Sequence, residues 1–211
     1  MTAPLRPPES AEVLGIKGGR LITHALTLTY QSFEPSFRIA GMNVSSAAIA
    51  LTPVTSEDRD FLLRLYQSSR GDDLRELGWS EDRISEFLEM QHEAQQNFLA
   101  TDYPNIVDQI VSFEGQAAGR LAVEPRPEEI HLVDIALIPE RRNHGLGTYL
   151  IQQVQEQAQS VRLPVRLQVI RFNRAVGLFE RLGFTRTSET GTHFQMEWNP
   201  GSARNPIVNQ G

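Results

Sequence analysis

The chain has 211 residues, room for one domain with a sizeable core and an appendage. With 40% hydrophobic and 22% charged residues it has the make-up of a globular protein, and a net charge of −6 offers no basic stripe to nucleic-acid phosphates. It has no cysteine, which excludes disulfides, thiolate metal sites and cysteine nucleophiles. No run approaches the roughly 20 apolar residues that span a bilayer, and MTAPLRPPES lacks the charge and apolar core of a signal peptide. The expectation is a cytoplasmic protein without membrane, nucleic-acid or metal partner, working as a monomer or homodimer.

Residues 1–45 read as a mobile N-terminal extension, with Pro4, Pro7, Pro8, Gly15, Gly18 and Gly19 and no sustained period. Leu21 to Tyr30 alternates as a strand would, and Met42 could be an alternative start. Regular patterning occupies residues 46–198, and 199–211 reads as a disordered tail. Ala47 to Thr52 is a strand. Thr55 or Ser56 then caps a helix with Phe61, Leu62, Leu65 and Tyr66 on one stripe, stopped by Gly71. A second helix starts near Ser80 and aligns Ile84, Phe87, Leu88, Gln91, Ala94 and Phe98. Two strands follow around the tight Glu114-Gly115 turn. Next come a strand from Ile130 to Ile138, a glycine turn, a helix to about Ser160, a strand at 164–170, a helix from Asn173 stopped by Gly183, and a closing strand pair. The order β-α-α-β-β-β-α-β-α-β-β predicts an α/β domain with a mixed central sheet flanked by helices.

The glycine turn reads Arg142-Asn143-His144-Gly145-Leu146-Gly147-Thr148 and leads directly into a helix. Glycines permit close backbone approach, and a first helical turn offers unpaired N–H groups and a positive dipole end, which together make an anion cradle. A tight turn without a ligand reads equally well from spacing alone. It is neither a P-loop, lacking the lysine, nor a dinucleotide fingerprint, lacking the third glycine.

The string Arg142-x-x-Gly145-x-Gly147 resembles the pyrophosphate loop of the GNAT superfamily of acetyl-CoA-dependent N-acetyltransferases. Phe172 to Phe184, FNRAVGLFERLGF, is similar to the helix of that family that carries an Asn and ends in Tyr-Glu-x-x-Gly-Phe. The resemblance implies the GNAT fold, with acetyl-CoA as co-substrate. It implies that Arg142, Asn143, His144, Gly145, Leu146, Gly147 and Thr148 hold the coenzyme A pyrophosphate. The edge at Ala136, Leu137 and Ile138 would pair with the pantetheine arm where this strand and the next splay apart, and an N–H near Leu137 would polarise the thioester carbonyl. Asn173 and Phe179 are also expected at the coenzyme. Phe179 stands where many members have a tyrosine that protonates the thiolate, so this acid is missing. Asn173 is one residue closer to the helix ending than the common pattern, where Phe172 would align. Tyr149 or Tyr103 could supply the acid, although Tyr149 reads more simply as packing.

Transfer to an amine needs a base, and three candidates lie on or beside the Ile130 strand. His131 falls where glutamate-using members of the family place theirs, and otherwise reads as an inert strand-start histidine. Asp134 interrupts the apolar run VDIALI, as base or as the ion-pair partner of Arg120 or Arg166. Glu129 could act through water. Strict alternation puts His131, Val133, Ile135 and Leu137 on one face and Leu132, Asp134, Ala136 and Ile138 on the other. Trp79, Gln91, His92, Gln95 and Tyr103, in and after the first two helices, are candidates to grip the acceptor. The resulting expectation is an N-acetyltransferase acting on a primary amine of a small molecule, peptide or protein. The alternative is a non-catalytic acyl-CoA-binding regulatory domain.

Overall fold

A computed structural model describes residues 48–201, so the expectations for residues 1–45 and for most of the 199–211 tail lie outside the described residues. Strand β1 (Ile49–Pro53) leads into helices α1 (Arg59–Glu76) and α2 (Glu81–Asp102), then strands β2 (Val107–Phe113), β3 (Gln116–Pro125) and β4 (Ile130–Leu137). Helix α3 (Leu146–Val161), strand β5 (Val165–Ile170), helix α4 (Ala175–Arg181) and strands β6 (Thr185–Thr190) and β7 (His193–Trp198) complete the order expected from the sequence. The strands form one sheet ordered β1-β2-β3-β4-β5-β7-β6. All its pairings are antiparallel except β4 with β5. That parallel pair needs a crossover, which α3 supplies. Glu114 and Gly115, at φ 53° and 77°, make the hairpin turn between β2 and β3.

Two helix readings need correction. Helix α1 does not stop at Gly71; it runs on to Glu76. Its stop is Gly78, at φ 77°, where the Gly78 N–H reaches the Arg75 carbonyl and the Trp79 N–H reaches the Leu74 carbonyl. A mid-helix glycine costs only about 1 kcal/mol, too little to end a helix without such a closure. Gly183, at φ 87°, closes α4 in the same way, as expected. Helix α2 buries Ile84, Leu88, His92 and Leu99. Gln91 and Ala94 are exposed, and Phe98 is 51% exposed. The buried face includes polar residues, so hydrophobicity alone misplaced it.

Helices α3 and α4 pack on one face of the sheet. Leu146, Leu150, Ile151 and Val154 of α3 and Val176 and Phe179 of α4 join Leu121, Leu132, Val165 and Met196 in the main core. The other face carries α1 and α2, with Leu62, Leu65, Ile84 and Leu88 buried. No helix among the described residues is long and apolar enough to cross a membrane.

Two irregularities of β4 shape the site. Ala122 pairs with Asp134 but Val123 pairs with Leu132, so Val133 is an extra, unpaired residue: a β-bulge. The bulge resets the alternation. Leu132, Ile135 and Leu137 all belong to the α3 side. His131, Asp134 and Ala136 therefore share the opposite face, which corrects the expectation that His131 and Asp134 lie on opposite faces. Second, β4 pairs with β5 only from Ile130–Val165 to Leu132–Leu167, although β4 continues to Leu137 and β5 to Ile170. The strands splay from the bulge onward.

On its other edge, the end of β4 presses against β3 at Gly119. A Cβ there would lie 2.2 Å from the Ala136 carbonyl oxygen and 2.6 Å from a Leu137 methyl. Gly119→Ala should therefore destabilise the fold by about 1–3 kcal/mol, read from urea unfolding; wild-type stability would show that β4 can shift without cost.

Candidate active site

On the α3 side, the glycine turn meets the splayed edge of β4. Asn143 and Gly145 are left-handed, at φ 61° and 86°. Gly145 caps α3 without any side-chain hydrogen bond, and the Tyr149 N–H donates to the Gly145 carbonyl at 3.0 Å. A helix leaves the N–H groups of its first turn, here Leu146, Gly147 and Thr148, without intrahelical partners. Gly147 has an ordinary helical backbone, and an added Cβ would find Leu137 and Leu178 at 3.7 and 3.8 Å, normal contacts. Internal packing therefore does not require glycine at 147, whereas close approach of a ligand from outside would.

Neighbouring groups hold this turn against the strand. Arg142 donates from Nε to the Leu137 carbonyl at 2.8 Å and from its terminal nitrogen to Ser68 Oγ at 3.3 Å, tying the end of β4 to α1. His144 is exposed, with Nδ1 2.6 Å from the Arg142 carbonyl. The Ile138 N–H is already donated to the Ala118 carbonyl at 3.0 Å. Because successive strand N–H groups point to opposite edges, that of Leu137 points away from β3, into the splay. Ala136 instead faces the other side of the sheet.

There a cleft is lined by Leu62, Leu65, Tyr66, Ser69 and Arg70 of α1, His92 and Gln95 of α2, Arg120 of β3, and Asp134 and Ala136 of β4. Arg120 is buried and clasped by Asp108 through two hydrogen bonds, of 2.7 and 2.5 Å. Its other terminal nitrogen lies 3.7 Å from Asp134. Asp134 is half-buried in the cleft wall, with 29% of its side chain accessible. Desolvation raises its pKa above the usual carboxylate value, against the pull of Arg120 and Arg70. His92 is buried, 3.1 Å from Gln96 and tilted against Tyr66, and desolvation lowers its pKa and keeps it neutral.

The model of the acetyltransferase (GNAT) family matches residues 71–184, more than half of the chain. The chain belongs to the GNAT acetyltransferase family. Solved structures share the fold. The PaiA N-acetyltransferase of Thermoplasma acidophilum, determined with coenzyme A, is 18% identical, with a TM-score of 0.57 over 72% of this chain and 99% of that one. An acetyltransferase of Thermus thermophilus is 19% identical, with a TM-score of 0.53 over 72% and 97%. The ribosomal-protein-S18-alanine N-acetyltransferase of Escherichia coli is 17% identical, with a TM-score of 0.51 over 74% and 97%. No curated protein matches the sequence.

Within this GNAT fold the remaining candidates fall into separate places. Phe179 is buried against Phe184, ring centroids 5.4 Å apart, and Tyr149 is likewise a core residue. Asn173 is exposed and accepts from the Ala175 N–H at 2.9 Å, a local turn bond just ahead of α4. Of the acceptor candidates, Gln95 and His92 line the cleft, whereas Gln91 is exposed outside its lining. Trp79 packs on Phe87 and Arg83. Tyr103 stacks on His131, centroids 5.8 Å apart. Arg70 and Tyr66 also line the cleft, without a signal in the sequence, because a helical stripe marks packing and gives no sign of a cleft mouth.

His131 and Glu129 form a distinct charged corner. Glu129 accepts from Arg126 at 3.0 Å and Arg166 at 2.7 Å. Desolvation raises its pKa, but the hydrogen bond from Arg166 and the charges around it win and hold it below the usual value. Such a carboxylate is a weak base. Arg166 also binds Glu197, and so is not the partner of Asp134. Among the described residues, His131 Nδ1 is the buried side-chain nitrogen without a hydrogen-bond partner, 3.5 Å from Glu129. Desolvation and Arg126 lower the pKa of His131. The folded state thus prefers neutral His131, and stability is lost as pH falls below the ordinary value of about 6.5. Thermal unfolding from pH 8 to 5 should show this fall, reduced in His131→Phe; an identical pH profile for the two proteins would contradict it.

Proposed function

We propose that this protein transfers an acetyl group from acetyl-CoA to a primary amine of a small molecule or peptide. The observation that carries the reading is the position of β4. Its free edge and the glycine turn offer unpaired N–H groups on one side, and Asp134 faces a cleft on the other. When bound, acetyl-CoA supplies an activated thioester. Residues Asn143 to Thr148 would hold its pyrophosphate, and the β4 edge its pantetheine arm. The Leu137 N–H would donate to the thioester oxygen as negative charge develops there. Asp134 would accept a proton from the incoming ammonium, and its raised pKa suits that task better than the arginine-bound Glu129 does. The C–N bond forms as the C–S bond breaks. A second proton from the amine leaves with coenzyme A as its thiol, because Phe179 has none to give.

The buried, hydroxyl-free Phe179 also favours a second reading, a non-catalytic acyl-CoA-binding regulator. Thiol release across a panel of amines separates the two: release supports the enzyme, and coenzyme binding without release supports the regulator.

Asp134→Asn should lower kcat about 10²–10⁴-fold with acetyl-CoA affinity retained; wild-type turnover would remove Asp134 as the base and return attention to His131. Gly147→Val should weaken acetyl-CoA binding at least about tenfold in calorimetry while the circular dichroism spectrum stays native. Unchanged affinity would refute the cradle.

A further inference from the structure

Arg70 stands in the lining of the acceptor cleft without a carboxylate partner among the described residues. Its guanidinium lies over the Tyr66 ring, Cζ 3.9 Å from the centroid, and donates to Ser69 Oγ at 3.1 Å. Stacking engages the face of the group and keeps its N–H donors at the edge, the arrangement that suits two-pronged binding of a carboxylate. The other cation of the cleft, Arg120, is already clasped by Asp108. Those two charges offset one another. Among the described residues of the lining, what remains is one acid, Asp134, and one guanidinium without a carboxylate, Arg70, beside side chains that are apolar or neutral. Their fields overlap, since the charge of Arg70 acts on both Asp134 and His92.

A simple amine placed at Asp134 would bring no carboxylate to Arg70. A polyamine would bring a second positive charge toward it and be repelled. A molecule with both an ammonium and a carboxylate satisfies both groups. We propose that the acceptor is a small amino acid in the broad sense, its ammonium at Asp134 and its carboxylate on Arg70. Arg70 is then a specificity-determining residue that selects for the carboxylate and against polycations. Only the naming of the ammonium end as the acetylated end rests on the acetyl-transfer reading.

The test uses the full chain saturated with coenzyme A. Ligands are titrated in matched pairs by NMR: an amino acid against its decarboxylated amine, and an amino acid against its carboxamide, with α- and ω-amino acids both included. The carboxylate-bearing member should bind at least about tenfold tighter for some backbone length. Arg70→Gln should reduce that ratio to near one, and Arg70→Lys should restore part of it. Equal affinity within every pair, or a preference that survives Arg70→Gln, overturns the proposal. So does a loss of coenzyme A affinity in Arg70→Gln, which would assign Arg70 to the donor. A preference that depends on Arg70 without any acetylation supports carboxylate recognition and counts against acetyl transfer alone.

Discussion

Between Leu132 and Asp134, strand β4 carries one residue more than β3 can pair, and the faces and edges of the site follow from that surplus. Without the bulge, Asp134 would point with Leu132 into the core against α3. With it, Leu132 and Ile135 both reach the core, and Asp134 is released to the cleft under α1 and α2. A bulge also bends its strand and increases the twist. Pairing of β4 with β5 ends at Leu132, the residue just before the bulge. The same local insertion thus accompanies both the opening between strands and the acid on the opposite face. Gly119 completes the arrangement by letting the Ala136 carbonyl fold closely over β3.

Charge is distributed around this strand in two groups that differ in chemistry. At its beginning, Glu124, Arg126, Glu129, Arg166 and Glu197 pair in a chain that runs from the β3–β4 turn to β5 and β7. Such partly buried pairs contribute little net stability, since desolvation offsets much of their attraction, but removing one member leaves a costly unpaired charge. The group fixes the surroundings of His131 and Tyr103. Further along, Arg120 is buried between Asp108 and Asp134, with the closer, two-pronged contact to Asp108. Asp134 is left only partly compensated, which is why burial still raises its pKa. The carboxylate under least obligation to a structural partner is the one that faces the cleft.

The glycine turn was legible in the sequence because its residues are needed for local reasons: left-handed backbone at Gly145, and a helix starting immediately after it. Element order was legible too, because turns such as Glu114-Gly115 act locally. What failed was reading faces by periodicity. Alternation misassigned His131 and Asp134 because a bulge depends on the pairing partner, and no pattern within IHLVDIAL marks Val133 as the extra residue. The buried face of α2 was misread because it looks onto Arg120 and Asp134, so His92 and Gln95 stand where apolar residues would otherwise mark it. Gly71 reads as a helix stop in the sequence, since composition shows a glycine but not the hydrogen bonds that close the helix at Gly78.

On the proposed function, β4 serves the donor through its edge and the acceptor through its face. Residue-resolved amide hydrogen exchange, with and without acetyl-CoA, tests it most directly. Exchange at Leu137 and at Leu146, Gly147 and Thr148 should slow when acetyl-CoA binds. Ile138 should change little, because its N–H is already bonded to the Ala118 carbonyl. Unchanged exchange at Leu137, or protection confined to α1 and α2, would contradict it.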